Sequence, residues 1–251
     1  MSLFAAAPVH AAASDKEDLR VRVGLGVQAL PDFVGGRGHE LGPLFDLDVA
    51  SGSEPFAIET PDDSFGFGLL RLGRLTVGPA AGFDSSRTEA EVGARVGKVK
   101  ATVKLGGFAD YLVGDDLRLH GELLKGVNGH EGLSGQIGVD RFWRDGDRYV
   151  FTLGPRLMIS DARYSRAFFG VTPAAALASG LPVYRPSGGI HAVALTGGMS
   201  GQLSGPWGLF GYARAERLVG DAARSPIVRT YGSRNQLSVG VGLNYEFRVK
   251  R

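Results

Sequence analysis

The sequence predicts an all-β fold, a closed antiparallel transmembrane β-barrel of about 12 strands, from three observations. Apolar residues alternate strictly with polar residues or glycine in the longest segments. These segments reach the ~9–11 residues that a tilted strand needs to cross a bilayer, whereas the usual globular strand has ~5–6. Short and long connections follow each other in turn, as in outer-membrane barrels. A count of about 10 to 14 strands also fits, because boundaries inferred from sequence shift by ~2–4 residues.

The last segment, Gln236–Phe247, shows the alternation most clearly. Its apolar residues fall on one side, and its polar residues and glycines fall on the other. Tyr245 and Phe247 near its end would place an aromatic pair at a membrane boundary. The first segment, Leu19–Leu30, matches it in length and polarity, as closure of a barrel requires.

Ten further strands are predicted between these two segments. They are Leu41–Ala50, Pro55–Thr60, Phe65–Leu72, Arg74–Phe83, Lys98–Leu112, Asp116–Lys125, Gly132–Trp143, Arg148–Ser160, Gly189–Leu203 and Pro206–Leu218. Links from even to odd strands are short, as in Arg144–Asp147, and links from odd to even strands are mostly long, as in Asp161–Gly188. We therefore expect short periplasmic turns, longer extracellular loops and both termini in the periplasm.

The composition indicates one membrane β domain, residues 19–247. The 251 residues include 39 glycines, and only 22% are charged. No run of 18 apolar residues exists, which excludes a helical membrane protein. A formal charge of +2 offers no basic surface for nucleic acid, and the absence of cysteine excludes disulfides and cysteine-based metal sites.

Both ends fall outside the predicted barrel. Residues 1–13 predict a signal peptide whose start is clipped or misassigned, because a small-residue cleavage site is present but a basic n-region is not. The alternative is a disordered Ala-rich tail. Residues 14–18 would then form a short periplasmic segment, and residues 248–251 form a basic C-terminal tail.

The alternation assigns charged side chains to the barrel interior if the apolar face meets lipid. The candidate lumen charges are Lys100, Lys104, Arg118, Glu122, Arg156, Arg214, Glu216 and Glu246. We expect carboxylates and cations among them to pair, because unpaired charge in a narrow interior is costly. A soluble lipocalin-like barrel would place the same charges in water, but small apolar residues could hardly fill the wide cavity of about twelve strands.

Two long loops contain the candidate plug or partner-binding residues. The stretch Phe168–Tyr184 is too apolar for a solvated loop, and Ala174–Ser179 predicts a short helical turn. This stretch either fills the barrel mouth as a plug or presents an apolar patch to a partner. In a plug, Arg224 and the arginines of the second loop would be available to lumen carboxylates. The candidates are Phe168, Phe169, Thr172, Pro173, Leu181, Tyr184, Arg229, Arg234 and Asn235.

No catalytic, cofactor or metal site is predicted. His130 and Ser134 could belong to an outer-membrane lipid hydrolase, yet no nucleophile elbow or HExxH helix accompanies them. Asp62 and Asp63 could hold a surface Ca²⁺, although acidic residues between strands are more often turn formers. We therefore predict a non-enzymatic protein.

Four segments carry a family resemblance. The most specific are Phe168–Tyr184, with FFGVTP and ASGLPVY, and Gly220–Gln236; the others are Leu105–Tyr111 and Gly24–Gly35. They resemble the MltA-interacting protein/OmpV family of outer-membrane proteins, over a stretch from Leu19 to Phe247. The chain departs from the usual pattern at its end, because Phe247 is followed by four further residues instead of closing the chain on an aromatic.

The resemblance implies an outer-membrane protein of the Gram-negative envelope that contacts outer-membrane lipids. It also implies a scaffold that links a murein lytic transglycosylase to a murein synthase. A partner could grip residues 14–18 or 248–251, or a lipoprotein could pack on the barrel wall. The alternative function is a small channel, or porin, whose cationic lumen admits anions.

Overall fold

The computed structural model describes residues 18–57, 60 and 62–250. The strands are β1 (Leu19–Pro31), β2 (His39–Ser51), β3 (Phe65–Gly66), β4 (Leu70–Leu72), β5 (Leu75–Asp84), β6 (Thr102–Val113), β7 (Leu117–Gly126), β8 (Leu133–Asp145), β9 (Tyr149–Ser160), β10 (Gly189–Ser204), β11 (Trp207–Leu218) and β12 (Asn235–Val249). The helices are α1 (Glu89–Val92), α2 (Ala162–Phe169), α3 (Pro173–Ser179), α4 (Gly220–Arg224) and α5 (Pro226–Thr230). The predicted signal peptide, residues 1–13, and residues 14–17 lie outside the described residues.

The strands form one antiparallel sheet that curls until the first strand meets the last. β1 pairs with β2 on one side and with β12 on the other, in a register that runs from Leu19 opposite Val249 to Ala29 opposite Val239. The end of the barrel that carries these termini, the terminal end, has short turns, in which glycines adopt positive φ: Gly73, Gly114, Gly146 and Gly205. All the helices lie in the connections at the opposite end, the loop end. The all-β antiparallel fold is confirmed.

The outer face of the sheet is apolar, as the alternation predicted. In β12, Leu237 and Val241 are about half exposed, whereas Gln236 and Asn244 on the other face are buried. The same division holds in β9, where Leu153 is exposed and Arg156 is buried. None of the described helices is long and apolar enough to cross a membrane.

The closed ring is not confirmed. The sheet path ends at β2 on one edge and at β3 and β4 on the other, where β3 and β4 both pair with β5 as one interrupted strand. β2 and β4 run in the same direction, toward the terminal end, so antiparallel pairing cannot join them. No ladder joins these edges within residues 18–57, 60 and 62–250. We call this gap the seam.

The described residues between β2 and β3, which are 54–57, 60 and 62–64, form a segment that turns into the barrel. We call it the inner segment. The predicted strand Pro55–Thr60 is wrong for its described residues, which join no ladder. Phe56 is 2% exposed and Thr60 is 4% exposed, although both belong to the connection between the edge strands β2 and β3. The chain enters the interior because polar and cationic partners for this segment are located there, as described next.

Candidate functional site

Asp62 of the inner segment lies in the middle of the lumen. Its carboxylate accepts hydrogen bonds from Arg156 Nε at 3.0 Å and from Thr196 Oγ1 at 2.9 Å, and it lies 3.4 Å from Arg214 Nη1. These partners come from β9, β10 and β11. Because a buried carboxylate is stable only when it is paired and hydrogen-bonded, this network fixes the segment to three strands of the wall.

Asp63 makes a second anchor, to β7. Its carboxylate lies 2.7 Å from Arg118 Nη2 and accepts a hydrogen bond from the Thr60 hydroxyl at 2.8 Å. Asp140 of β8 connects the two anchors, because it binds Arg118 at 2.9 Å and Arg156 at 2.7 Å. The network therefore alternates acidic and basic groups along the inner face of the neighbouring strands β7 to β11.

The inner segment is also held at the terminal end. The Phe56 ring lies under the guanidinium of Arg22, 4.0 Å from its centroid, and near that of Arg20. Its backbone N–H donates to Asp147 Oδ1 at 3.1 Å, and its carbonyl accepts from Arg144 at 2.7 Å. Arg144 and Asp147 flank the turn between β8 and β9, so this turn is connected directly to the lumen contents.

Most of the predicted lumen charges do point inward. Arg118 and Arg156 hold the inner segment, Lys104 lies 2.8 Å from Asp84, and Glu122 accepts from the Ser64 N–H at 3.3 Å. The remaining inward charges form two groups, Arg214 with Glu216, and Glu246 with Arg20 and Arg22. The placement of Lys100 is wrong, because β6 begins only at Thr102 and Lys100 is exposed before it.

At the loop end, α2 packs against α4, α5 and β8, and we call this helix the cap. Phe168 and Phe169 are 1% and 0% exposed, and the Tyr164 ring packs against Phe168 at 4.7 Å between centroids. Buried side chains also hold the backbone of this helix. Arg87 donates a hydrogen bond to the Phe168 carbonyl, and the Ser225 hydroxyl donates one to the Phe169 carbonyl at 2.7 Å. The predicted plug residues Phe168 and Phe169 thus form part of an apolar cluster above the lumen.

Replacing Phe168 by Ala is expected to loosen the cap. The substitution leaves a void among packed rings, which typically costs about 3–5 kcal/mol. Trypsin should then cleave faster after Arg163 and Arg166 of α2, as followed by mass spectrometry. Leu177→Ala is the matched control, because Leu177 is 90% exposed on α3. Equal cleavage of the two variants would contradict this role for Phe168.

The other predicted loop residues lie around the cap. Thr172 caps α3 by accepting from the Ala175 N–H, Pro173 is its first residue, and Leu181 packs partly buried in a second apolar cluster. The Tyr184 hydroxyl donates to the Asp221 carbonyl at 2.9 Å. The helical turn predicted at Ala174–Ser179 is present as α3.

The arginines of the second loop do not reach the lumen. Arg224 pairs with Asp221 at 2.5 Å, and Arg229 and Arg234 are exposed with no side-chain partner among the described residues. Asn235 is also exposed and accepts from Arg217 at 2.9 Å. The expectation that these arginines pair with lumen carboxylates is therefore wrong, because α4 and α5 turn them toward the outside.

Asp221 gives a pH-dependent contact between the two loops. Hydrogen bonds from the Ser187 hydroxyl and N–H, followed by Arg224, lower the pKa of Asp221 to about 2 from an ordinary 3.8. A carboxyl whose pKa is depressed on folding contributes its stability above the unfolded value and loses it as the pH falls through the folded value. We therefore expect the contact to weaken between pH 3.8 and about 2.

An NMR titration of the Asp221 carboxyl carbon would measure this midpoint directly. Ser187→Ala should move the midpoint upward, toward 3.8, because it removes one donor to the carboxylate. A midpoint near 3.8 in the unmodified chain would refute the assignment.

His130 and Ser134 do not form a hydrolytic pair. His130 Nε2 lies 2.9 Å from Asp84 Oδ2, and His130 Nδ1 accepts from the Gly132 N–H at 2.8 Å. Both ring nitrogens are thus engaged elsewhere, and no nitrogen remains to take a proton from a serine. Asp62 and Asp63, considered as a surface calcium site, face arginines inside the barrel instead.

Sequence reasoning missed the residues that organise the lumen. The local sequence predicts a strand at Thr60 and a turn at Asp62 and Asp63, because nothing in it shows that their segment leaves the wall. The alternation does predict that Asp140 and Thr196 face the lumen, since both occupy inward positions in alternating strands. Asp140 is an acidic residue at an inward position among inward arginines, and this combination indicates a partner in a buried ion-pair network.

A family model described as MltA-interacting protein MipA matches residues 23–247. No curated protein matches significantly. An outer membrane channel of Pseudomonas putida F1 is 10% identical, with 93% of this chain and 98% of that chain covered and a TM-score of 0.44. Neisserial surface protein A is 10% identical, with 91% of this chain and 97% of that chain covered and a TM-score of 0.28. Outer-membrane expressed OmpT of Vibrio cholerae is 11% identical, with 93% of this chain and 99% of that chain covered and a TM-score of 0.37.

The family assignment rests on the family model. Its match covers most of the chain and all of the strands except the outermost residues of β1 and β12. The solved structures have TM-scores below 0.5 and add no argument. The chain belongs to the MltA-interacting protein MipA family, and it is a β-barrel protein of the outer membrane.

Proposed function

We propose that this protein is a non-enzymatic scaffold that links a murein lytic transglycosylase to a murein synthase. The name of the family refers to an interaction with MltA, a murein transglycosylase, and the link to a murein synthase is our proposal. The observation that carries the proposal is the occupied lumen. Asp62 and Asp63 engage the arginines that would otherwise attract anions, and the cap packs its buried rings at the loop end. A barrel filled in this way is better suited to binding partners than to passing solutes.

The proposal places the terminal end in the periplasm, after removal of a signal peptide. The turns at this end present charged side chains, since Asp145 and Arg148 are 55% and 78% exposed. The adjacent Arg144 and Asp147 contact Phe56 of the inner segment. A partner that binds this turn would therefore contact the part of the barrel that holds the inner segment.

A small anion channel is the second candidate function. The observation in its favour is a cavity of about 750 Å³ that contains Arg22, Arg144 and Arg214. Conduction through this cavity would require displacement of the inner segment, whose carboxylates hold it to the arginines of the wall. A lipid hydrolase has less support, because His130 is already bound to Asp84 and Gly132.

The test combines two measurements on one preparation. The tagged barrel is purified from solubilised envelopes, its partners are identified by mass spectrometry, and the same protein is placed in a planar bilayer. We expect recovery of a lytic transglycosylase or a murein synthase, together with no resolved conductance steps. Steady anion-selective conductance without such partners would overturn the scaffold in favour of the channel.

Two variants locate the partner. Replacing Asp145 and Arg148 by Asn and Gln changes the exposed turn at the terminal end, and replacing Arg229 and Arg234 by Gln changes the loop end. Only the first change should reduce recovery of the partner. The reverse result would place the binding surface at the loop end.

A further inference from the structure

The cavity in the lumen extends to the outer face of the barrel at the seam. Four of the side chains that line it are large, apolar and more than half exposed on the outside: Phe45, Leu47, Phe65 and Phe83. Phe45 and Leu47 belong to β2, Phe65 belongs to β3 and Phe83 belongs to β5, so they flank the seam from its two sides. In an outer-membrane protein this opening faces acyl chains.

Behind this apolar mouth, the cavity wall is acidic. Asp46 and Asp48 alternate with Phe45 and Leu47 along β2, so their carboxylates face inward. Asp48 lies 3.4 Å from Arg22, but Arg22 also lies 3.7 Å from Glu246. Asp46 accepts only an amide hydrogen bond, from Asn244 at 3.3 Å, and has no ion pair within the described residues. This side of the cavity thus has more carboxylate than cation.

Deeper in the same cavity, buried polar atoms lack hydrogen-bond partners. Ser134 Oγ, Gln136 Oε1 and His191 Nδ1 have none among the described residues, and these side chains are more than nine-tenths buried. Buried polar atoms are almost always hydrogen-bonded, and each of these three can accept a hydrogen bond from a donor. The cavity therefore combines an apolar entrance, an acidic wall and unused acceptors.

We propose that this cavity takes up an amphipathic molecule with a primary ammonium group, which enters from the bilayer through the seam. Its alkyl chain lies between Phe45 and Phe65, and its ammonium group meets Asp46 and Asp48. A primary ammonium group suits this wall because it carries one positive charge and three donors and needs no acceptor. The volume of about 750 Å³ matches pockets that hold molecules of this size. This site is independent of the scaffold role, so the failure of one leaves the other intact.

Photolabelling in lipid nanodiscs tests the proposal. The probe is dodecylamine with a diazirine on its alkyl chain, and the matched probe is lauric acid with the same diazirine. Mass spectrometry maps the labelled peptides, and unlabelled dodecylamine competes. We expect saturable labelling by the amine probe around residues 41–49 and 62–72, and only unsaturable labelling by the acid probe. Equal saturable labelling by both probes, or none by either, would overturn the proposal.

Charge variants separate binding from unspecific insertion. Asp46→Asn with Asp48→Asn should reduce the saturable labelling at least tenfold. Asp46→Asn alone keeps the ion pair of Asp48 with Arg22 and serves if the double variant does not fold. Asp116→Asn is the matched control, because Asp116 pairs with Arg141 outside the lumen and is 45% exposed. Unchanged labelling of Asp46→Asn would refute a role for this carboxylate in binding.

A second pair of variants tests entry through the seam. Leu47→Lys places a charge at the mouth of the cavity, and Leu153→Lys places one on the outer face of β9. Leu47→Lys should slow saturable labelling, whereas Leu153→Lys should not. Equal rates would mean that the probe enters through an end of the barrel and would overturn the lateral route.

Discussion

Replacing Asp62 and Asp63 by Asn is expected to produce discrete, anion-selective conductance steps, which we expect the unmodified barrel to lack. The two carboxylates hold the inner segment to Arg118, Arg156 and Arg214. Amides of the same size keep the volume but remove the charge, so the segment loses its strongest attachments to the wall. The freed guanidinium groups then line the lumen with positive charge, which favours anions.

The control for this experiment is Asp116→Asn. Asp116 also pairs with an arginine, Arg141 at 2.6 Å, but both side chains are about half exposed outside the lumen. This variant should remain as silent as the unmodified barrel. If the double variant is folded, by its circular dichroism, and still shows no conductance, then the inner segment does not block the lumen.

Arg156→Ala is expected to lower the free energy of unfolding by about 3–5 kcal/mol. The Arg156 side chain is fully buried and bridges Asp62 at 3.0 Å to Asp140 at 2.7 Å. Its removal leaves two carboxylates in the interior with fewer counter-charges. Breaking such a buried pair from one side costs far more than breaking an exposed pair. Urea titrations of the barrel refolded into lipid vesicles would measure the loss.

Arg148→Ala is the surface comparison, because Arg148 lies in the exposed turn directly before β9, the strand that contains Arg156. Arg148 is 78% exposed and lies 3.7 Å from Asp145, so its loss should change the free energy of unfolding by only about 0–1 kcal/mol. Similar losses for the two variants would show that the lumen network contributes no more than a surface ion pair. Arg156→Ala together with Asp62→Asn should recover part of the loss, because the second change neutralises one orphaned carboxylate.

The positions of the wall strands could be predicted from the sequence because alternation is a local property. Each residue of a strand points to one face or the other, so the outward row of Leu237, Val239 and Val241 and the inward position of Arg156 follow from counting. Lys100 shows the limit of this counting. Its segment alternates in sequence, yet the described strand starts at Thr102, because alternation does not show where pairing begins.

The sequence by itself thus determined the antiparallel β fold of an outer-membrane protein, most of its wall strands and most of its inward charges. Only the tertiary structure decided that the inner segment leaves the wall, that the ladder stops at the seam and that α2 packs at the loop end. The physical reason is that these outcomes depend on partners far apart in the chain. Asp62 meets Arg214 across 152 positions, and the Arg87 side chain meets the Phe168 carbonyl across 81. No local pattern records such pairings, because they exist only once the sheet has curled and enclosed its interior.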